Sequence, residues 1–186
     1  MIDNASFAEQ ANSEKYTGVS YDELDCQAFV EKVLKDTGTR KADGSAYNWK
    51  GSNSMWRNAL SWKGTIAECL KKFDCIPLGA WVFIVSQDGG EKEKGYNDKE
   101  GNAKHVGIYC RSGVTPVRDS TRNNLSGSKY RNGVGYRSID AFTHVGLPFM
   151  IDFKNMLIPE RVESLLIDKK TALEYLDKVK QYIERG

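Results

Sequence analysis

Two residues in this chain have the types and settings that nucleophilic catalysis needs. Cys26 follows Asp25 at the start of an apolar-periodic segment, and His105 opens the run His105-Val106-Gly107-Ile108-Tyr109-Cys110. A cysteine in the first turn of a helix meets unpaired N–H groups and partial positive charge, and both favour the thiolate. A histidine within reach takes the thiol proton and later returns it to a leaving group. Strand alternation puts His105, Gly107 and Tyr109 on one face and Val106, Ile108 and Cys110 on the other. A histidine so placed faces a cleft while the rest of its strand stays anchored. By residue type alone, a cysteine on an apolar helix face is more often a small core residue, and a lone histidine is more often structural. The surrounding elements and motifs change that balance.

The helix that must carry Cys26 is well marked. Cys26, Phe29, Val30, Val33 and Leu34 recur at helical spacing, and Thr37-Gly38 supplies a C-terminal stop. Two starts compete, a Ser20/Glu23 capping box and an N-cap at Asp25. The second is preferred because it puts Cys26 in the first turn. Upstream, residues 1–20 predict a short helix or an arm. Downstream, Ser54 to Leu60 predicts a short helix, and Thr65 with Glu68 forms a capping box ahead of the stripe Ile66, Leu70 and Phe73.

From Pro77-Leu78-Gly79 the pattern becomes that of a sheet. Ala80 to Val85 reads as a buried strand, and residues 86–104 as a long polar loop beside a site. His105 to Cys110 is the second strand. Val114 to Ser120 is the third, with Pro116 suggesting an edge. Tyr136 to Ile139 and His144 to Phe153 complete the strands, and from Pro159 onward the chain reads as helix. Helices first and an antiparallel sheet after them make an α+β arrangement. The division is a catalytic domain over 1–155 and a C-terminal helical extension over 156–186.

Composition excludes several classes. The chain has 186 residues, 40% of them hydrophobic, enough for one globular domain with its own core. Its 27 basic and 25 acidic residues leave a net charge of +2, with no long basic run, so nucleic acid is not expected as a partner. No segment is apolar enough to span a bilayer, and no secretory signal is visible, so a soluble protein made in the cytoplasm is expected. The cysteines Cys26, Cys69, Cys75 and Cys110 form no C-x-x-C and no dense framework, so reduced thiols are expected. With His105 and His144 the only histidines, no metal site is expected. No organic cofactor is expected either.

Three segments in order resemble one family. Asp25-Cys26-Gln27-Ala28-Phe29-Val30 resembles the Asp-Cys-Ser-Gly-Phe-Val signature of NlpC-type cell-wall cysteine peptidases. Pro77-Leu78-Gly79-Ala80-Trp81-Val82-Phe83 is similar to that family's Pro-Gly-Asp-Leu-Val-Phe strand, and His105-Val106-Gly107-Ile108-Tyr109 to its His-Val-Gly-Ile-Tyr strand. The set covers about residues 16–153 and looks most like phage and prophage lytic enzymes.

The resemblance implies a papain-like fold with Cys26 as nucleophile and His105 as base. It implies a third polar residue on the next strand. The family's Val-Ile-His-Ala segment matches Val117-Arg118-Asp119-Ser120, which puts Asp119 in that role, with Ser120 and Asn123 in reserve. Asp25 maps to the residue that holds the free amino end of the peptide, and is equally a plain N-cap. Gln27 replaces the usual serine and is counted among the substrate-binding candidates. Tyr16 and Tyr21 are both candidates for the tyrosine that lines the site, and Ser52 and Ser54 for the cleft wall. The backbone N–H of Cys26 would serve an oxyanion hole. The implied substrate is the peptidoglycan stem peptide, and the family's usual bond joins γ-D-glutamate to the diamino acid. The N-acetylmuramoyl-L-alanine amide, another papain-like amidase activity and an inactive wall-peptide-binding domain stand as alternatives. An enzyme of this kind would act at the wall after release. His144, Cys69, Cys75, Cys110, Trp49, Trp56 and Trp62 are read as packing residues.

Overall fold

The computed structural model describes residues 1–87, 98–122 and 132–154. Eight strands and four α-helices occur among them: β1 (Ile2–Asp3), α1 (Asn4–Ala11), α2 (Cys26–Asp36), α3 (Ser52–Asn58), β2 (Leu60–Thr65), α4 (Ile66–Phe73), β3 (Trp81–Ser86), β4 (Asn102–Tyr109), β5 (Val117–Thr121), β6 (Gly133–Arg137), β7 (His144–Pro148) and β8 (Ile151–Asp152). The class is α+β. Six strands form one antiparallel sheet in the order β2-β7-β3-β4-β5-β6, while β1 and β8 pair in parallel as a separate ribbon.

The unbroken apolar run of β3 has a simple cause: both faces of the sheet are covered. Trp81 and Phe83 point into a core shared with α1, α2 and α3. Val82, with Ala80 just before the strand, points into a second core that includes Cys69 of α4 and Phe142. The strand β4 divides in the same way, with Val106 and Ile108 in the first core and Tyr109 in the second.

α2 starts and stops where the side chains require. Asp25 is its N-cap, its Oδ1 accepting from Ala28 N at 2.8 Å. Gly38, at φ +74°, takes the left-handed turn after the helix, and Thr39 N returns to Leu34 O at 3.0 Å. The competing Ser20/Glu23 pair forms only a local turn, Glu23 N donating to Ser20 Oγ at 3.3 Å. The Thr65/Glu68 capping box at the head of α4 has both of its hydrogen bonds.

Several expected boundaries move. The helix after the Gly/Ser/Asn loop is Ser52–Asn58, and Leu60–Thr65 is a strand. Pro116 does not mark an edge: β5 lies between β4 and β6, and the proline sits just before it, its carbonyl accepting Cys110 N at 2.9 Å. β6 ends at Arg137, and Ile139–Ala141 is a 3-10 turn. A turn at Phe149–Met150 splits the last expected strand into β7 and β8. The C-terminal helical extension over 156–186 lies outside the described residues, as do Asn123 and most of the polar loop before His105. Among the described residues, no helix is long and apolar enough to cross a membrane.

Candidate active site

α2 presents Cys26 in its first turn, where backbone N–H groups have no acceptor within the helix. The thiol is 8% exposed. β4 delivers His105 to it: the imidazole interacts electrostatically with Cys26 and hydrogen-bonds Asp119 of β5. His105 Nε2 lies 2.6 Å from Asp119 Oδ2, so Nδ1 is the ring nitrogen that this carboxylate does not engage. The ring also stacks on Phe142, with centroids 5.9 Å apart and an interplanar angle of 28°.

Electrostatics favours a charged imidazole. Burial alone would depress the His105 pKa, but the hydrogen bond and charge of Asp119, together with the interaction with Cys26, outweigh it and raise the value to about 9. Asp119 is 1% exposed. The same Oδ2 also accepts from Arg137 Nη1 at 2.6 Å. This arginine was not anticipated from the sequence, where nothing local distinguishes it from a surface residue.

The reserve Ser120 turns the other way. Its hydroxyl donates to the carbonyl of Leu24, two residues before Cys26. Adjacent residues of β5 thus do different jobs: Asp119 holds the imidazole, and Ser120 fastens the segment that leads into the nucleophile.

Tyr21 and Tyr16 part company. The hydroxyl of Tyr21 interacts electrostatically with Cys26, and its pKa is raised by burial first, then by the charges of Cys26 and Asp25. The guanidinium of Arg122 covers the Tyr21 ring at 4.9 Å and pairs with Asp22 at 2.8 Å. Tyr16 is instead a core residue, 2% exposed, edge-on to Phe29. Its hydroxyl donates to Asp36 at 2.7 Å, at the far end of α2. Ten residues of helix separate Asp36 from Cys26, about 15 Å, so Tyr16 does not line the site.

Asp25 is exposed, with Oδ1 committed to the cap. Gln27 is engaged within the protein by its side chain. Its amide donates to Trp49 O at 2.5 Å and to Glu31 Oε1 at 2.8 Å, and its carbonyl accepts from Gly51 N. It is the clasp that holds the 49–51 segment against α2. Ser52 is likewise committed, donating to Ala103 O at 3.0 Å, which ties α3 to β4 just ahead of His105. Ser54 lies in α3, half-buried.

The other thiols are inert by comparison. Burial pushes the Cys69 and Cys110 thiols up to about 12. The tryptophans pack: Trp49 stacks on Tyr47 at 5.3 Å, Trp56 meets Phe83 edge-on at 5.2 Å, and Trp62 meets Phe73 at 5.1 Å. His144 heads β7, with Nδ1 2.8 Å from Thr143 Oγ1. A cavity of about 640 Å³ is lined in part by His144, Thr65 and Glu100, and neither Cys26 nor His105 lines it. Among the described residues, no group of three or more His, Cys, Asp or Glu side chains could hold a metal ion.

The arrangement can therefore move a proton between a thiol and a carboxylate-backed imidazole, beside the free N–H groups of a helix start. No family model, no curated protein and no solved structure matches this chain.

Proposed function

We propose that this protein is a cysteine hydrolase of the NlpC-type, papain-like kind, cleaving an amide bond in the stem peptide of bacterial peptidoglycan. The observation that carries the reading is the line Cys26–His105–Asp119, with the imidazole between a helix-start thiol and a buried carboxylate. The Cys26 thiolate attacks the amide carbonyl. Its own backbone N–H stabilises the oxyanion. His105, as imidazolium, protonates the leaving amine, and the enzyme is left as a thioester. His105 then removes a proton from water, which hydrolyses the thioester and regenerates the thiol.

The site's surroundings fit a peptide with a free amino end. Asp25 stands exposed beside the nucleophile with one carboxylate oxygen outside the cap. Tyr21, which interacts electrostatically with Cys26, would line the same subsite. The bond between γ-D-glutamate and the diamino acid is the target proposed, in the setting of a phage or prophage lysin acting at the wall after release.

The test is release of amino groups from purified peptidoglycan by wild type and by Cys26→Ala. Release that vanishes in the variant supports the reading, and mass spectrometry of the fragments separates the γ-D-glutamyl bond from the N-acetylmuramoyl-L-alanine amide. A folded wild-type protein that cleaves no wall type would sink it.

A further inference from the structure

Asp119 is approached from both neighbouring strands across glycines. Gly107 of β4 and Gly135 of β6 are the residues directly opposite it. With no side chain at either position, the residues two further along, His105 and Arg137, reach diagonally over the gaps and converge on one oxygen. Both contacts to Asp119 Oδ2 measure 2.6 Å. The Arg137 side chain is 4% exposed and that of Asp119 1%. Phe142 closes the assembly, stacked on His105 and lying 5.0 Å under the Arg137 guanidinium.

A buried arginine with this placement is more than packing. An isolated carboxylate cannot stay ionised in such surroundings without a partner. Resting on the activity read above, we propose that Arg137 is a positioning residue of this site, which holds Asp119 as a carboxylate aimed at His105 and so sets how tightly the imidazole keeps its proton. The groups facing His105 are Cys26 from α2, Asp119 from β5 and, through that carboxylate, Arg137 from β6; Ile84 of β3 pairs beside it, and beyond Cys26 Tyr21 interacts with Cys26, Asp25 and Arg122. Arg137 is the fixed cation that shares an atom with the imidazole. Removing its charge therefore raises the proton affinity of the His105–Asp119 pair, whichever of the two holds the proton.

The test reads His105 directly. The chain has 2 histidines, so a His144→Gln variant assigns the two imidazole NMR signals. In Arg137→Gln, which keeps a donor but loses the charge, the His105 midpoint should rise by about one pH unit. In Arg137→Lys, which keeps the charge, it should stay near the wild-type value. An unchanged midpoint in a folded Arg137→Gln protein overturns the proposal, because a purely structural arginine would lower stability and leave the titration alone. Should that variant not fold, the wild-type Arg137 Cζ resonance serves. It should move with the His105 midpoint, and a flat resonance across that range overturns the proposal. Neither readout needs a substrate. A midpoint that moves in a protein inactive on peptidoglycan supports the role of Arg137 and counts against the wall substrate alone.

Discussion

Gly107 and Asp119 face each other across β4 and β5, and a methyl group at 107 would overlap Val117 and crowd Asp119. A Cβ at 107 would lie 2.7 Å from Val117 Cγ1, 3.1 Å from Asp119 Cβ and 3.2 Å from Arg118 O. The glycine is thus a spacer for the carboxylate that orients the base. Gly107→Ala should cost about 1–3 kcal/mol in stability through overpacking. It should also lower hydrolysis more than a stability loss of that size explains, because Asp119 must move. Urea unfolding alongside kcat/KM checks this, and a destabilised variant with wild-type activity at low temperature would refute it.

Thiol reactivity should single out one cysteine. At pH 7–8 a folded sample treated with iodoacetamide should be alkylated at Cys26 first, since burial pushes Cys69 and Cys110 up to about 12 and Cys75 is 4% exposed. Peptide mapping after partial reaction reads the order. Labelling of Cys69 or Cys110 at a rate equal to that of Cys26 would count against the assignment.

The pH dependence has a definite sign. The folded-state value of about 9 for His105 lies above the ordinary histidine value of 6.5. Its contribution to stability is therefore fully present below about pH 6.5 and is lost as pH rises through about 9. Asp119→Asn removes the main source of the elevation. The stability gap between wild type and this variant should be widest near pH 6 and narrow by pH 10. Hydrolysis should fall by on the order of 100-fold or more, since the base loses its orienting carboxylate. Denaturant midpoints at three pH values decide the first point, and a gap independent of pH would contradict it.

Asp25 has two separable roles. Asp25→Ala should lose about 1 kcal/mol from the cap, whereas Asp25→Ser should keep most of that stability. If the exposed carboxylate also binds the amino end of the peptide, both variants should raise KM at least several-fold. A serine variant with wild-type KM would leave Asp25 as a cap and nothing more.

Gln27→Ala should act on structure rather than chemistry. It strips the 49–51 segment of its contacts to Trp49 O and Gly51 N, at a cost of about 1–3 kcal/mol. The alkylation rate of Cys26 should change little. A large drop in that rate with unchanged stability would return Gln27 to the substrate side.

The parts legible in the sequence are those with local causes. The N-cap of α2, its glycine stop and the Thr65/Glu68 box are written in adjacent residues, and the run of β3 is apolar because two cores cover it. The strand β2 escaped because it pairs only with β7 and is half-buried at nearly every position, so Leu60-Ser61-Trp62-Lys63-Gly64-Thr65 shows no alternation. Pro116 misled because a proline just outside a central strand looks the same as one on an edge. Tyr16 and Tyr21 are alike in composition and context, and only the fold sends one toward Asp36 and the other toward Cys26. Arg137 escaped because its partner is fixed by strand pairing with a residue 18 positions away.

The alternation of Asp119 and Ser120 on β5 has a consequence for how this site can be inherited. One residue serves the base and the next anchors the approach to the nucleophile. A substitution at either position damages one function. A single inserted or deleted residue in β5 exchanges the two faces and breaks both at once. Length changes in a lineage of such chains should therefore collect in the loops on either side of this strand, while its spacing to β4 stays constant even as its residue types drift.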